Sequence, residues 1–566
     1  MIPLIKKINV SSLIVYLIVF IPTISQIRWF LSFAPFTEGW WLVYSRSILA
    51  GKVPYRDFEL LSTPLYPYLV ASFSAIFGEE FFKFRILGLL IHLAINILLY
   101  LVLRNYVKSI FAALIASIST LFIQNSTAYI NYDYNYVALL FALLSLYYLS
   151  ISEKIRLNFI YVSGIFLGLS FLVKQTFGLS ILILYIIANI IFFNFDKIFR
   201  IVTGFLIPNL IFLLYFVLNN SGQNYVESIL RGASESKGGT QKLLIGWIPR
   251  VFGSVESFAY FTFLSISLCV ILFMIFRIQR VNSIFVILLV LVYIVRFEST
   301  NEILFTSAYK FIWLTPGIWL TYKLLVTVIK HSIERQYSLW IYSFGIFLAS
   351  MLSAGLSEIG SFMPLAASMV YITNRLNNEY LKYIVLIPLF ISFLLSIDQL
   401  KSEKPYAWWN YSVARNEGNS ITVNSGLQTN LVMTENEYLN RNKILSIIPQ
   451  TKHCQSFIQF PHMPYFQLEK GCQTFGYYNL FWPDFTSEGS LDYIQKNIDQ
   501  FQVILINLGN ASAFETQASW FNSNNDNYVG EIESRLLYRV NKEVNNKYDI
   551  YFEESGLRFF VYVSER

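Results

Sequence analysis

Charge is scarce in this sequence. Only 14% of its 566 residues are Asp, Glu, Lys or Arg, against 55% hydrophobic and 18% aromatic, a balance that a soluble core cannot absorb. Cysteine and histidine are scarcer still, at three and four residues. With no CxxC and no HxxxH among them, a zinc or redox centre of standard spacing has no support. The net charge of +7 is not gathered on one face. Lys and Arg sit in pairs between apolar runs, which is how membrane orientation is encoded, so nucleic acid is not an expected partner. The first apolar run follows Lys6 and Lys7 and lacks a small-residue cleavage site after it, and it is read as a retained signal anchor.

What fills the sequence instead is a series of uncharged apolar runs long enough to cross about 30 Å of hydrocarbon. They lie near residues 11–30, 86–103, 109–125, 134–152, 157–173, 176–195, 201–219, 257–276, 281–296, 304–322, 336–354, 359–374 and 383–398. The expected fold class is a polytopic α-helical membrane protein with about thirteen transmembrane helices. Placing Lys6 and Lys7 in the cytoplasm also puts Arg104/Lys108, Lys154/Arg156, Lys197/Arg200, Arg277/Arg280, Lys330/Arg335 and Arg375/Lys382 there, as the positive-inside rule requires. The uncharged run Leu61 to Gly78 is broken by Pro64 and Pro67. Counting it as a span would put nearly every basic pair outside, so it reads as a helix at the outer interface.

The membrane domain is therefore expected over residues 1–398, with a first external loop at 31–85 and another external loop at 220–256. An odd number of spans puts the remainder, 399–566, outside the cell membrane as a small extracytoplasmic α/β domain. Strand-like runs occur at Ser456 to Phe460, Val503 to Asn507 and Phe559 to Val563, and Thr434 with Glu437 forms a capping-box pattern ahead of Leu439 to Ile448. Cys454 and Cys472 flank the first of those strands, where a disulfide and two free thiols are both open readings.

The external face collects carboxylates beside cations: Glu38, Asp57, Glu59, Glu79, Glu80, Lys83 and Arg85 in the first loop, then Asp133, Lys174-Gln175, Arg231, Arg296, Glu298, Glu302, Lys310 and Glu358. At headgroup level such a set suits group transfer from a lipid phosphate. A carboxylate accepts the proton of the incoming nucleophile and a cation neutralises the departing phosphate. The alternative for the acids is a divalent cation, which takes oxygen ligands. Plainer readings stand beside these: an interfacial acid is usually solvated, Lys174 can snorkel, and His92 reads as a packed or interhelical hydrogen-bonding residue. Composition equally allows a transporter or lipid flippase, but those usually carry midplane charges and paired repeats, and neither is evident here.

The order of these features carries a resemblance. Glu38 follows the first span, then come a Trp-rich helix, Ala50-Gly51-Lys52-Val53-Pro54-Tyr55-Arg56-Asp57, Pro64-Leu65-Tyr66-Pro67, Phe77-Gly78 and Arg85. This series resembles the GT-C superfamily of membrane glycosyltransferases, in particular the bacterial relatives of protein O-mannosyltransferases and of lipid A aminoarabinose transferase. Asn131 to Tyr136 looks like the second-loop acidic motif of that family, Lys174-Gln175-Thr176-Phe177-Gly178 is similar to its Lys-Gln-x-x-Gly motif, and Pro461 to Phe466 resembles a segment after its membrane region.

The resemblance implies a bacterial inner-membrane or plasma-membrane enzyme that takes a polyprenyl-phosphate sugar donor and a glycan, glycolipid or protein acceptor. Glu38, where the family usually carries Asp, would be the base, with Asp57 and Asp133 as further site acids. Lys174 and Gln175, with Arg231 and Lys310, would meet the donor phosphate.

Overall fold

The computed structural model describes residues 10–27, 31, 39–60, 62–126, 133–152, 157–232, 324, 336–352, 359–376, 378–403, 406–408, 411–413, 420–447, 457–460, 465–471, 496–497, 503–507, 549–554 and 557–561. Helices dominate. The first ten are α1 (Val10–Ile27), α2 (Trp40–Leu49), α3 (Leu65–Phe77), α4 (Phe81–Leu103), α5 (Ser109–Ser126), α6 (Tyr134–Ser152), α7 (Phe159–Val173), α8 (Gln175–Ile191), α9 (Phe195–Leu218) and α10 (Gly222–Glu227). A π-helical turn, Ser228–Gly232, continues α10. Later come α11 (Tyr337–Leu352), α12 (Ile359–Arg375) and α13 (Glu379–Glu403), and in the strand-rich remainder α14 (Glu435–Ile447) and α15 (Tyr465–Glu469). The runs near 257–276, 281–296 and 304–322 lie outside the described residues.

Among the described residues, α4, α6 and α9 are long and apolar enough to cross a membrane, and several shorter apolar helices accompany them. The prolines before and within α3 place its start at Leu65. Its 13 residues reach about 20 Å, short of the hydrocarbon thickness.

The chain divides into two compact units, Met1–Arg28 with Gly88–Leu210 and Gln241–Leu400, and Trp29–Leu87 with Ile211–Thr240 and Lys401–Arg566. In the first unit α5 packs on α1 and α12, α6 on α7, α7 on α8, and α11 on α6, α8 and α12. Lipid offers no hydrophobic drive between such helices, so small residues and hydrogen bonds do the joining. A Cβ at Gly164 of α7 would lie 2.3 Å from the Ile201 carbonyl oxygen, and one at Gly204 of α9 2.2 Å from that of Tyr161, so the two helices cross at backbone contact. The hydroxyls of Ser145, Ser163 and Tyr342 meet in the interior, with Ser145 Oγ 2.6 Å from the tyrosine oxygen and 2.9 Å from Ser163 Oγ. Asn96 donates to the Val19 carbonyl at 2.6 Å and accepts from Thr120 at 3.1 Å. Large apolar side chains such as Leu17, Ile24, Ile187, Ile207 and Leu395 are left exposed, which suits a surrounding bilayer.

In the second unit α2 packs against α3. Arg46, near the end of α2, holds Glu79 through two N–H bonds at 2.8 and 2.6 Å and donates to the Leu468 carbonyl at 2.6 Å. Phe81 N–H donates to Leu427 and Val432 N–H to Leu31, so residues between 31 and 81 are tied to those around 427–468. There Arg441 is buried and bonds Gln428 at 2.6 Å and Glu469 at 3.1 Å. Gly426 adopts a left-handed φ of +83°, and a Cβ on it would strike the Glu469 carboxylate.

The runs expected as strands form β5 (Phe457–Phe460), β6 (Val503–Asn507) and β8 (Leu557–Val561) of one sheet, with β7 (Asp549–Glu554) at its edge. The order is β5-β6-β8-β7, parallel between β5 and β6 and antiparallel elsewhere. Four shorter strands, β1 (Tyr406–Trp408), β2 (Tyr411–Val413), β3 (Ser420–Thr422) and β4 (Val432–Thr434), make two antiparallel pairs. Thr434 directly precedes α14, which starts four residues before the expected Leu439.

Candidate functional site

The first unit holds a polar knot at the junction of α7 and α8. Lys174 is the single residue between them, with extended backbone at φ −150° and ψ 106°. Its N–H closes α7 on Ser170 and its carbonyl opens α8 by accepting from Phe177. Gly178 makes this break possible. A Cβ there would lie 2.5 Å from Phe171 Cβ and 2.6 Å from Phe171 N, so only glycine lets the start of α8 lie against the last turns of α7. The lysine and glycine of the Lys-Gln-x-x-Gly motif thus have a shared structural origin.

Asp133 caps α6. Its carbonyl accepts from Tyr136 and Val137, and its Oδ1 accepts the Asn135 N–H at 2.7 Å, the arrangement of an N-cap acid. The Asn135 side chain then turns to the helix junction, where Lys174 Nζ donates to its Oδ1 at 2.5 Å. The same ammonium lies 5.3 Å from the Tyr134 ring centroid and 5.2 Å from that of Phe177, both favourable faces for a cation. Tyr136 packs against buried His92, with ring centroids 4.2 Å apart and planes tilted by 54°. Loss of water around the Asp133 carboxyl pushes its pKa above the usual carboxylate range, and the Asn135 N–H and the Lys174 charge oppose that rise.

The segment that follows α2, in the second unit, is built differently. α2 ends in a Schellman motif: Gly51 N–H bonds the Ile48 carbonyl and Lys52 N–H that of Ser47, with Gly51 at φ +82° as this cap demands. A tight turn follows. Tyr55 sits at φ +65°, costly for a bulky residue. Burial in the cluster of Tyr44, Phe58, Phe216 and Tyr225 and hydrogen bonds to Ser62 O at 2.7 Å and from Asn224 at 2.8 Å hold it there. Asp57 closes the turn, accepting the Val53 N–H at 2.7 Å and two bonds from Arg56 at 2.9 and 2.8 Å. The Arg56 bonds lead in holding its pKa below the usual value, with the Val53 N–H assisting.

Of the expected site residues, the structure joins Asp133 and Lys174 through Asn135. Gln175 is the first residue of α8, and Arg231 falls in the π-helical turn. Asp57 is spent on its own turn, both carboxylate oxygens taken, and does not fit a metal ligand. Among the described residues no group of three or more His, Cys, Asp and Glu could hold a metal ion. Glu38, Lys310, Cys454, Cys472 and the 461–464 part of the last motif lie outside the described residues. Asn135, Tyr134 and Phe177 were missed as participants. The signal for Asn135 was its position one residue into a helix behind a capping acid, where a side chain can reach a neighbouring helix end.

Comparison with known proteins finds the same fold elsewhere. The chain has the fold of the Archaeoglobus fulgidus oligosaccharyltransferase, whose apo form it matches with a TM-score of 0.52 and 11% identity over 99% of this chain and 75% of that one. The same archaeal protein in complex with Zn and sulfate gives 0.50 and 11% over 97% and 73%. ArnT from Cupriavidus metallidurans bound to undecaprenyl phosphate gives 0.45 and 10% over 99% of each chain. More particularly, residues 62–219 match the family described as dolichyl-phosphate-mannose-protein mannosyltransferase, a segment that contains Asp133, Asn135, Lys174 and Gly178. The resemblance to the GT-C superfamily of membrane glycosyltransferases holds. No curated protein matches.

Proposed function

We propose that this protein is a multi-span glycosyltransferase of GT-C type that moves a sugar from a polyprenyl-phosphate-linked donor to a glycan, glycolipid or protein acceptor on the extracytoplasmic face of a bacterial membrane. The observation that carries the reading is the Asp133–Asn135–Lys174 bridge at a helix break, inside the segment that matches a family named for a lipid-phosphate sugar. About thirteen spans, a cytoplasmic N-terminus and an external C-terminal region complete it.

In this mechanism Glu38 takes the proton of the acceptor nucleophile, which attacks the anomeric carbon with inversion. The bond between that carbon and the phosphate oxygen breaks, and the electron pair leaves with the polyprenyl phosphate. Lys174 offsets the charge developing on that phosphate, with Gln175, Arg231 and Lys310 as further donors to it, and Asp133 holds the knot from which Lys174 projects. Hexosyl and pentosyl donors both suit this chemistry.

The test is mass spectrometry of surface glycans and glycolipids in a strain lacking the gene, resupplied with wild type or Glu38→Gln. Deletion should remove one sugar from a defined glycan. Wild type should restore it, while Glu38→Gln should leave transfer lower by about 10²- to 10⁴-fold. An unchanged glycan profile on deletion would contradict the function, and full restoration by Glu38→Gln would contradict the base.

A further inference from the structure

Arg46 ties together stretches of the second unit that lie far apart in sequence. Its Nε and Nη2 donate to one Glu79 oxygen at 2.8 and 2.6 Å, and its Nη1 donates to the Leu468 carbonyl at 2.6 Å. The next residue, Glu469, accepts the Leu427 N–H at 2.7 Å. The Leu427 carbonyl in turn accepts the Phe81 N–H at 2.8 Å. Phe81 stands two residues past Glu79, so these bonds close into a ring: from α2 to the α3–α4 turn, across the 427–469 stretch, and back to α2. Arg441 braces the far side of the ring by bonding Gln428 and Glu469.

α2 is only 10 residues long. It meets α3 through the Trp41 and Tyr66 rings, centroids 4.6 Å apart, and through the Ser45 and Ser74 hydroxyls at 3.2 Å. Apolar contact sets the spacing of two helices but carries no direction, whereas a planar guanidinium held at two acceptors fixes direction as well. The opposite end of α2 leads to the chemistry. Leu42 and Val43 N–H donate to the Gly39 carbonyl, so the chain enters the helix at Gly39, one residue after Glu38.

We propose that Arg46 is a positioning residue for sugar transfer: it locks the direction of α2, and so the point at which the chain delivers Glu38, to Glu79 and Leu468. The 427–469 stretch then acts on the reaction through Arg46. This rests on the reading of Glu38 as the base. If Arg46 served stability alone, its loss would multiply with the loss of Glu38. If it acts by placing Glu38, the two losses overlap.

The experiment adds full-length purified protein to membranes of the gene-deleted strain, which supply donor and unmodified acceptor, and follows the rate of sugar transfer by mass spectrometry. Thermal unfolding in detergent checks folding. Arg46→Gln should slow transfer by about 100-fold, the scale of a misplaced reacting group, and Arg46→Lys, which keeps the charge and loses the fork, by about tenfold. Added to Glu38→Gln, Arg46→Gln should slow the residual rate by less than about threefold. A folded Arg46→Gln protein with the wild-type rate overturns the proposal, and so does a double variant in which the two losses multiply. Should Arg46→Gln fail to fold, Glu79→Ala takes its place, and the wild-type rate in that variant overturns the proposal. A Glu38→Gln protein at the wild-type rate sinks the base reading instead, which is a separate outcome.

Discussion

Two acids that look alike in sequence lead different lives in the fold. Asp57 lies in a loop turn, half exposed, with Arg56 and the Val53 N–H on its carboxylate, and its proton is lost more easily than usual. Asp133 lies at the head of a long apolar helix. It accepts a single backbone N–H through its side chain, and desolvation makes its proton harder to lose. The first acid is consumed in shaping a loop. The second shares a knot with Lys174 through Asn135. Loop position and residue type therefore do not decide a role; what each oxygen is bonded to does.

The comparison can be broken most forcefully at Lys174. Lys174→Gln should lower sugar transfer by about 100-fold or more, while Asp57→Asn should change it far less, and transfer by complemented cells reads both. Next comes the frame of the knot. Gly178→Ala pushes a methyl into Phe171 and should cost about 1 to 3 kcal/mol of stability, visible as a lower unfolding temperature in detergent.

Asp57→Asn should cost about 1 kcal/mol once the exposed Arg56 pair is discounted for screening. Because its folded pKa is depressed, the stability Asp57 supplies is present above the ordinary carboxyl pKa and fades as pH falls through the lowered one. Asp133 runs the other way and should have the smallest effect. Its raised pKa makes its contribution full below the ordinary carboxyl pKa and lost as pH rises through the folded value. Asparagine caps as well as aspartate. Asp133→Asn should therefore unfold slightly later than wild type near neutral pH, with the gain vanishing in acid.

Much of the helical layout could be read from the sequence because apolar length is a direct physical signal. α5, α6, α8 and α11 fall within a few residues of the expected runs, and Val503 to Asn507 is a strand with both ends as expected. Ends were less legible. α9 begins at Phe195, before Lys197 and Arg200, because an Arg200 side chain can bond Asp196 at 2.8 Å and Asn158 at 3.1 Å and continue a helix past the apolar run.

The site was legible where one motif fixed one residue. Lys174 and Asp133 were singled out and are joined through one intermediary. That intermediary was not legible, because Asn135 gains its meaning only when α6 and the α7–α8 junction meet, a contact between positions 39 apart in sequence. The turn that Asp57 closes was not legible either: its partners, Val53 and Arg56, are its own neighbours, and a turn-closing acid looks in sequence like any loop acid.

The central claim is that Lys174, bonded to Asn135, serves the donor phosphate. Its most direct test resupplies the gene-deleted strain with Lys174→Gln or Asp57→Asn at matched membrane levels and quantifies the missing surface sugar by mass spectrometry. The account predicts that the sugar stays absent with Lys174→Gln and returns with Asp57→Asn; restoration of the sugar to its normal level by Lys174→Gln would contradict it.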